Sequence, residues 1–137
     1  MKKKVTAVFD IGRTNKKFFL FDSDFQEVYR DYSRFDEITD EDGYPTENLE
    51  ALEKWAKEVF DRMMESPEFE IRALNFSCYG ASLVHIDKNG KVLTPLYNYM
   101  KPLKTEVFDA FYDKYGPENE LSRSTGSQKL GMLNTGM

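Results

Sequence analysis

A short polar segment between two apolar runs carries residue types that can hold the phosphates of a nucleotide. The segment 10–17 reads Asp-Ile-Gly-Arg-Thr-Asn-Lys-Lys. Gly12 lacks the side chain that would keep an anion away from the loop amides, and Thr14 and Asn15 add side-chain donors. A carboxylate repels a phosphate unless a cation lies between them. Asp10 is therefore interpreted as a ligand of a Mg²⁺-bound water rather than as a phosphate contact.

The residues around this segment predict a β-hairpin rather than a strand-to-helix loop. Residues 5–10 and 17–22 have the polarity pattern of strands, and residues 27–34 predict a third strand of a β-meander. The P-loop and the dinucleotide-binding motif both need a helix after the glycine, so neither explains the segment. From these residues alone, the alternative is an ordinary polar hairpin with Asp10 as a capping residue.

An amphipathic helix is predicted to follow the meander. Residues 36–45 are acidic and rich in turn formers, which indicates a solvated loop. Thr46 is predicted to cap the helix, with Glu47 in its first turn, and Ser66-Pro67 to stop it. Apolar residues at spacings of three and four form its predicted core face: Leu52, Trp55, Ala56, Val59, Phe60 and Met63.

The next strand, residues 71–76, is predicted to be an interior strand reached by a helical crossover. Its carboxyl end opens into residues 77–80, where ligands gather in open α/β sheets. A hairpin is predicted over residues 82–94 through a type I′ turn at Asn89-Gly90. Residues 104–115 then predict a helix that ends at Gly116-Pro117.

Three segments in the same order resemble the sugar kinases of the FGGY family, which belongs to the actin, hexokinase and Hsp70 superfamily. Residues 10–17 resemble the first phosphate motif of the family, and residues 71–90 are similar to its strand, sugar-site turn and hairpin. Tyr79-Gly80 matches the aromatic-Gly pair of the rhamnulokinase-like branch. Residues 125–128 and Asn134-Thr135 resemble the Thr-Gly-x-Gln and Asn-Thr pattern of that branch.

This resemblance implies an α/β fold of the ribonuclease-H-like class, with a mixed sheet, a β-meander and flanking helices. The kinases of the family have two such domains and are much longer than the 137 residues of this chain. We therefore expect residues 1–137 to be the first part of the N-terminal domain, with the fold incomplete. We expect the catalytic base to lie beyond Met137, no catalytic residue within the chain, and no activity of the chain alone.

The resemblance also implies roles for the residues of the first motif. Asp10 is expected to hold Mg²⁺ through water, and Lys17 to be the terminal cation of the motif. Arg13 departs from the small or hydroxylated residue usual in the family, and both a phosphate contact and a solvated position stay open for it. The expected cofactors are ATP and Mg²⁺. The implied cofactor-binding residues are Asp10, Gly12, Arg13, Thr14, Asn15 and Lys17.

On the substrate side, the resemblance implies a ketose such as rhamnulose, fuculose or xylulose. Tyr79 and Gly80 are expected to form an aromatic wall and a backbone approach for the sugar, and Gln128 to face it. Ser82 stands where the branch tends to have Asp. Residues 98–101 lack the Arg-Asp pair found at the corresponding family position. These departures bear on the identity of the sugar more than on the family.

Composition is consistent with a metabolic enzyme. The net charge of −5 argues against a nucleic-acid surface, and no stretch is long and apolar enough for a membrane span. A single cysteine, Cys78, excludes an internal disulfide and fits a reducing, cytoplasmic compartment. Cys78 is predicted to be a small buried or half-buried residue, and His85 to be packed or edge-facing within a strand rather than catalytic. Self-association is expected through apolar surface that the rest of a kinase would cover.

Two other functions share this fold. A noncatalytic binding or structural domain of the actin-like type would keep the phosphate hairpin without the chemistry. A ribonuclease-H-type nuclease would also place Asp10 on its first strand, but it needs several converging carboxylates to hold two metal ions. The later strand ends in Asn75-Phe76-Ser77 without a carboxylate, which argues against the nuclease.

Overall fold

The predicted meander, the helix after it, the next strand and the following helix occur in the predicted order, whereas a short two-stranded sheet and a last helix are not predicted from the sequence. The structure, a computed structural model, describes residues 1–129. Its elements are β1 (Lys3–Ile11), β2 (Lys16–Phe21), β3 (Glu27–Ser33), β4 (Ile38–Thr39), β5 (Pro45–Thr46), α1 (Leu49–Met64), β6 (Phe69–Cys78), α2 (Thr105–Tyr115) and α3 (Glu118–Thr125). They fall into two compact units. The first comprises Met1–Ile38 and Glu47–Gly80, and the second comprises 39–46 and the described residues from 81 onward.

The first unit is built on one mixed sheet with the strand order β3-β2-β1-β6. β1 pairs antiparallel with β2, and β2 pairs antiparallel with β3, which confirms the predicted meander. β6 pairs parallel with β1, and α1 lies in the long crossover connection that parallel neighbours need. β1, β3 and β6 therefore run in one direction and end at the same edge of the sheet.

One face of this sheet and α1 enclose the core of the first unit. Alternate residues of β1 and β2 lie on this face, and Val59 and Met63 contact them from the helix. Phe9 is 2% exposed, with its ring centroid 4.8 Å from that of Phe18 and 5.7 Å from that of Trp55. The predicted core face of α1 is confirmed. The buried members of the cluster are Val5, Ala7, Phe9, Phe18, Leu20, Val59 and Met63.

The N-terminus of α1 is capped by Asn48, so the prediction that Thr46 caps it is wrong. Asn48 Oδ1 accepts a hydrogen bond of 3.0 Å from the amide of Ala51, which satisfies one of the unpaired donors of the first turn. Thr46 is buried, and its hydroxyl donates to the carbonyl of Leu96 instead. Glu47 therefore precedes the helix rather than lying in its first turn.

β6 is an edge strand of the described sheet, so the prediction of an interior strand is wrong. Its neighbour in this sheet is β1, and its side chains from Arg72 to Cys78 are exposed. Leu74 is 43% exposed and Phe76 is 52% exposed. Cys78 is exposed rather than buried or half-buried. An apolar run without alternation is compatible with a strand that is buried on both faces. It does not show whether other elements of the chain cover those faces.

An ion pair at the buried Asp40 stabilises the second unit. Lys101 Nζ lies 2.6 Å from Asp40 Oδ2 and 2.7 Å from Asp42 Oδ2. The side chain of Asp40 is 0% exposed, so the prediction that the whole acidic segment 36–45 is solvated is wrong at this residue. The hydrogen bond from Lys101 lowers the pKa of Asp40. Burial disfavours the charged ammonium of Lys101, but hydrogen bonds to both carboxylates outweigh burial and raise its pKa.

The predicted hairpin over residues 82–94 is reduced to one antiparallel bridge, between Ile86 and Val92. In its turn, the amide of Gly90 donates to the carbonyl of Asp87 at 3.0 Å. Gly90 has a φ of 82°, whereas Asn89 is not among the described residues with positive φ. A type I′ turn needs positive φ at both central residues, so that prediction is wrong. The geometry fits a type I turn followed by a left-handed glycine.

The helices of the second unit are only partly predictable. α2 confirms the predicted helix; it begins at Thr105 and ends at Tyr115, and the φ of the following Gly116 is 113°. α3 was not predicted, because it buries no residue and so lacks an apolar stripe. None of the helices in residues 1–129 is long and apolar enough to cross a membrane.

Candidate functional site

The predicted site residues of the first unit lie at the sheet edge where β1, β3 and β6 end. Asp10 is near the carboxyl end of β1, and Tyr79 directly follows β6. The amide of Tyr79 donates to the carbonyl of Ile11 at 3.2 Å, which joins the two strand ends. Ligands of open α/β sheets collect outside such an edge.

The turn between β1 and β2 is closed by a hydrogen bond of 3.0 Å from the amide of Gly12 to the carbonyl of Asn15. A Cβ atom at Gly12 would lie 2.9 Å from that carbonyl oxygen, a separation that real Cβ atoms essentially never show. The turn therefore requires glycine at position 12, because a Cβ atom there would clash with the carbonyl oxygen of Asn15. Gly12 is not among the glycines with positive φ, so the need for glycine here comes from space and not from backbone conformation.

Asp10 and Lys17 are cross-strand partners, and both lie on the sheet face opposite α1. Lys17 Nζ is 3.3 Å from Asp10 Oδ2, and the two side chains are 36% and 40% exposed. The Asp10 carboxylate is thus within reach of a ligand. Among residues 1–129, no group of three or more His, Cys, Asp or Glu could hold a metal ion. A single carboxylate fits Mg²⁺ bound mainly by water and phosphate, which commonly uses one or two carboxylates.

The other lysine of the turn, Lys16, is 1% exposed on the α1 face of the sheet. Its ammonium donates to the carbonyl of Arg13 at 2.6 Å and pairs with Glu47 Oε1. A buried ammonium is tolerated only when it is paired and hydrogen-bonded. Lys16 thus fixes the turn backbone at Arg13 to the residue that precedes the cap of α1.

Glu47 also joins this turn to the end of β6. Its Oε2 accepts a hydrogen bond of 2.8 Å from the hydroxyl of Tyr79, while Oε1 contacts Lys16. The predicted sugar-site residue Tyr79 and the predicted phosphate turn therefore share one carboxylate. The side chain of Glu47 is only 10% exposed.

The remaining side chains of the turn contact β3 and the segment that follows it. Asn15 Oδ1 accepts a hydrogen bond of 2.6 Å from the hydroxyl of Tyr32. Arg13 Nη2 lies 3.3 Å from Glu37 Oε1, and the two side chains are 41% and 51% exposed. The sequence left open a phosphate contact or a solvated position for Arg13. The described contact is an ion pair at the surface, and such pairs contribute little to stability.

A polar cavity of about 380 Å³ lies beside the turn, entirely within the first unit. It is bounded by the turn, by the segment after β3 and by Glu47. Its volume falls within the range of small-molecule sites, about 300–1,000 Å³. Its lining residues are Arg13, Thr14, Arg34, Phe35, Asp36, Glu37 and Glu47.

No described contact joins the other predicted substrate residues to one another. Gly80 is exposed, and a Cβ atom there would meet nothing within 4 Å. Ser82 belongs to the second unit, and its buried hydroxyl has no hydrogen-bond partner among the described residues. Gln128 is exposed beyond α3. Asn134-Thr135 lies outside the described residues.

Sequence reasoning missed Lys16, Glu47, Arg34 and Asp36 as residues of this edge. The alternation of β2 gives a signal for Lys16, because residues two apart in a strand point to the same face and Phe18 is buried. No comparable signal existed for Glu47, whose partners lie 31 and 32 residues away in sequence.

No family model matches the chain, and no curated protein matches it. Solved structures do match. A carbohydrate kinase from Novosphingobium aromaticivorans superposes with a TM-score of 0.68 at 23% identity, over 93% of this chain and 26% of its own. A ligand-bound xylulose kinase from Lactobacillus acidophilus gives 0.67 at 21% identity, over 88% and 24%. Glycerol kinase from Plasmodium falciparum with ADP gives 0.69 at 16% identity, over 97% and 27%.

At these identities the similarity establishes the fold. The chain shares the α/β fold of these solved structures, which confirms the predicted fold class. The chain spans about a quarter of the length of the solved structures that it matches.

Proposed function

We propose that this chain is the N-terminal part of an ATP-dependent carbohydrate kinase of the FGGY type, which phosphorylates a hydroxyl of a ketose. The observation that carries this proposal is the closed turn at Gly12 and Asn15, which lies at the sheet edge with Asp10 at its base. The shared fold with sugar kinases supports it.

In this proposal the turn residues 12–15 hold the phosphates of ATP through the backbone amides of residues 13–15 and the hydroxyl of Thr14, since the amide of Gly12 closes the turn. The Asp10 carboxylate holds Mg²⁺ through a water molecule, and its 40% exposure leaves it accessible for that role. Bound Mg²⁺ would neutralise the charge of the phosphates. Lys17 lies 3.3 Å from Asp10 and supplies a positive charge near the same point. Phosphoryl transfer depends mainly on such positioning and charge stabilisation.

The ketose lies, in the same proposal, against Tyr79 and Gly80 at the end of β6. Tyr79 is fixed by Glu47, which also pairs with the turn through Lys16. A fixed aromatic side chain at the end of β6 would place the acceptor sugar close to the phosphate turn. The Tyr79-Gly80 pair favours a ketose of the rhamnulokinase-like branch, such as rhamnulose, fuculose or xylulose.

The test is ATP-dependent phosphorylation of a ketose panel by the kinase that contains this chain, with Asp10→Asn alongside. We expect Asp10→Asn to lower kcat while the dissociation constant of the ketose stays within about twofold. Asp22→Asn, at the far end of the hairpin, is not a suitable control, because Asp22 accepts hydrogen bonds from its own turn. Asp24→Asn is suitable, because Asp24 is exposed in that turn and takes part in the described hydrogen bonds only through its backbone amide and carbonyl.

Binding of both ligands without any phosphorylation would favour the noncatalytic actin-like domain over the kinase. Equal loss of turnover and of sugar binding in Asp10→Asn would contradict the metal-water role of Asp10. Phosphorylation of a sugar that is not a ketose would preserve the kinase and refute the choice of substrate.

A further inference from the structure

Both oxygens of the Glu47 carboxylate contact side chains that belong to the two halves of the proposed site. Oε2 accepts a hydrogen bond of 2.8 Å from the hydroxyl of Tyr79, and Oε1 pairs with the ammonium of Lys16. The side chains of Lys16 and Glu47 are only 1% and 10% exposed. Because buried pairs are screened little by water and salt, a change at one end of this bridge alters the interaction at the other end.

The bridge reaches the phosphate turn at the peptide bond between Arg13 and Thr14. Lys16 Nζ donates to the carbonyl of Arg13 at 2.6 Å. That carbonyl and the amide of Thr14 belong to one planar trans peptide unit, in which C=O and N–H point in opposite directions. Holding the carbonyl toward Lys16 therefore fixes the direction of the Thr14 N–H. Within residues 1–129 this amide makes no hydrogen bond, so it is available to a ligand.

The backbone of Tyr79 is tied to the same turn. Its amide donates to the carbonyl of Ile11 at 3.2 Å, and the residue directly follows β6. With its backbone held in this way, the hydroxyl of Tyr79 can leave Glu47 only through a rotation of the side chain, and a ligand against the ring would act on that rotation. The position of the Tyr79 ring is thus linked through Glu47 to the backbone of the turn.

We infer that Glu47 is a positioning residue that couples Tyr79 to the phosphate turn, so that the hydrogen bond from the Tyr79 hydroxyl changes the affinity of the turn for nucleotide phosphates. The inference deepens the proposed function and rests on it, because that function places the acceptor at Tyr79 and the phosphates at the turn. Such a coupling is reciprocal, so phosphates at the turn change the affinity at Tyr79 by the same factor. The bridge therefore makes binding of the two substrates interdependent.

The test is a titration of the ¹⁵N-labelled full chain with Mg·ATP, followed through the amides of residues 13–15, for the wild type and for Tyr79→Phe. Phenylalanine keeps the aromatic ring and removes only the hydroxyl that donates to Glu47. We expect Tyr79→Phe to shift the Thr14 amide signal in the unliganded chain. We also expect it to raise the dissociation constant of Mg·ATP by about fivefold or more, the lower end of typical couplings.

Two controls separate this coupling from the general effect of losing a hydroxyl. Tyr97→Phe removes a hydroxyl that also donates to a glutamate, Glu41, in the second unit, and it should leave Mg·ATP binding unchanged. In the background Lys16→Met/Glu47→Leu, which lacks the bridge, Tyr79→Phe should have no further effect on the dissociation constant. Circular dichroism checks that each variant is folded. If the background variant does not fold, the comparison of Tyr79→Phe with Tyr97→Phe decides.

The inference is overturned if Tyr79→Phe leaves the affinity for Mg·ATP unchanged, if Tyr97→Phe weakens binding as much, or if Tyr79→Phe weakens binding equally in the background that lacks the bridge. Each of these results leaves the proposed function in place, because the wild type still binds Mg·ATP at the turn. A wild type that does not bind Mg·ATP would instead refute the phosphate turn, and the inference with it.

Discussion

The hydroxyl of Tyr79 donates a hydrogen bond of 2.8 Å to Glu47, and the other carboxylate oxygen of Glu47 pairs with the buried Lys16. Lys16 in turn donates to the carbonyl of Arg13 at 2.6 Å. One carboxylate therefore connects the end of β6, the start of α1 and the turn between β1 and β2. A site assembled from these segments needs such a connection, because no two of them are adjacent in sequence.

Glu47→Gln should destabilise the chain strongly. The substitution leaves the ammonium of Lys16, which is 1% exposed, without its charged partner. Removing one partner of a buried ion pair typically costs about 3–5 kcal/mol of unfolding free energy. Urea denaturation measures this loss. Glu53→Gln is the matched control, because Glu53 is an exposed glutamate of α1.

The double substitution Lys16→Met/Glu47→Leu should recover much of that loss, since replacing a buried ion pair by apolar residues of similar size is often neutral. A loss below about 1 kcal/mol in Glu47→Gln, similar to that in Glu53→Gln, would mean that the pair does not hold the turn.

The elements of the first unit could be predicted from the sequence because their signals are local. Alternation identifies β1 and β2, and the three- and four-residue spacing identifies α1. Tertiary contacts decide the rest. Asn48 rather than Thr46 caps α1, because the hydroxyl of Thr46 finds a partner in Leu96, 50 residues away. The exposure of β6 likewise depends on neighbours that its own pattern does not encode.

The candidate site was predictable only in part. Asp10 and Gly12 stand out because they begin a polar segment that resembles the first phosphate motif of sugar kinases, although Asp and Gly are also ordinary turn residues. The burial of Lys16 on the same face as Phe18 can be predicted only if β2 begins at Lys16 and not at Lys17. The cavity residues Arg34 and Asp36 gave no signal, because isolated charges after a strand are usually solvated.

Gly12→Ala should open the turn. The added Cβ atom would lie 2.9 Å from the carbonyl oxygen of Asn15, so the backbone must shift. We expect a loss of about 1–3 kcal/mol of unfolding free energy, the usual cost of overpacking. Gly80→Ala is the matched control, because a Cβ atom there meets nothing within 4 Å. Denaturation of both variants compares the costs, and equal values would contradict the close approach at Gly12.

The ion pair of Asp40 and Lys101 should make the stability of the second unit depend on pH at both extremes. The pKa of Asp40 is lowered by its hydrogen bond from Lys101, so its contribution is present above its unfolded pKa of about 3.9 and is lost as pH falls through the lowered value. The pKa of Lys101 is raised despite its burial, so its contribution is present below about pH 10.4 and is lost as pH rises through the raised value.

Urea unfolding of the wild type and of Asp40→Asn/Lys101→Met across pH measures this dependence. The difference in unfolding free energy between them should stay flat between about pH 5 and 9 and change below about pH 4 and above about pH 10.5. A difference that varies steadily across neutral pH would contradict the assignment to this pair.

The proposed function depends most directly on whether the turn between β1 and β2 binds nucleotide phosphates. The measurement is a titration of the ¹⁵N-labelled chain with Mg·ATP, followed through the backbone amides, with adenosine as the control ligand. We predict saturable shifts centred on residues 12–15 with Mg·ATP, weaker shifts in Asp10→Asn, and none with adenosine. Shifts that leave residues 12–15 unchanged, or that adenosine reproduces, would contradict a phosphate site at this turn.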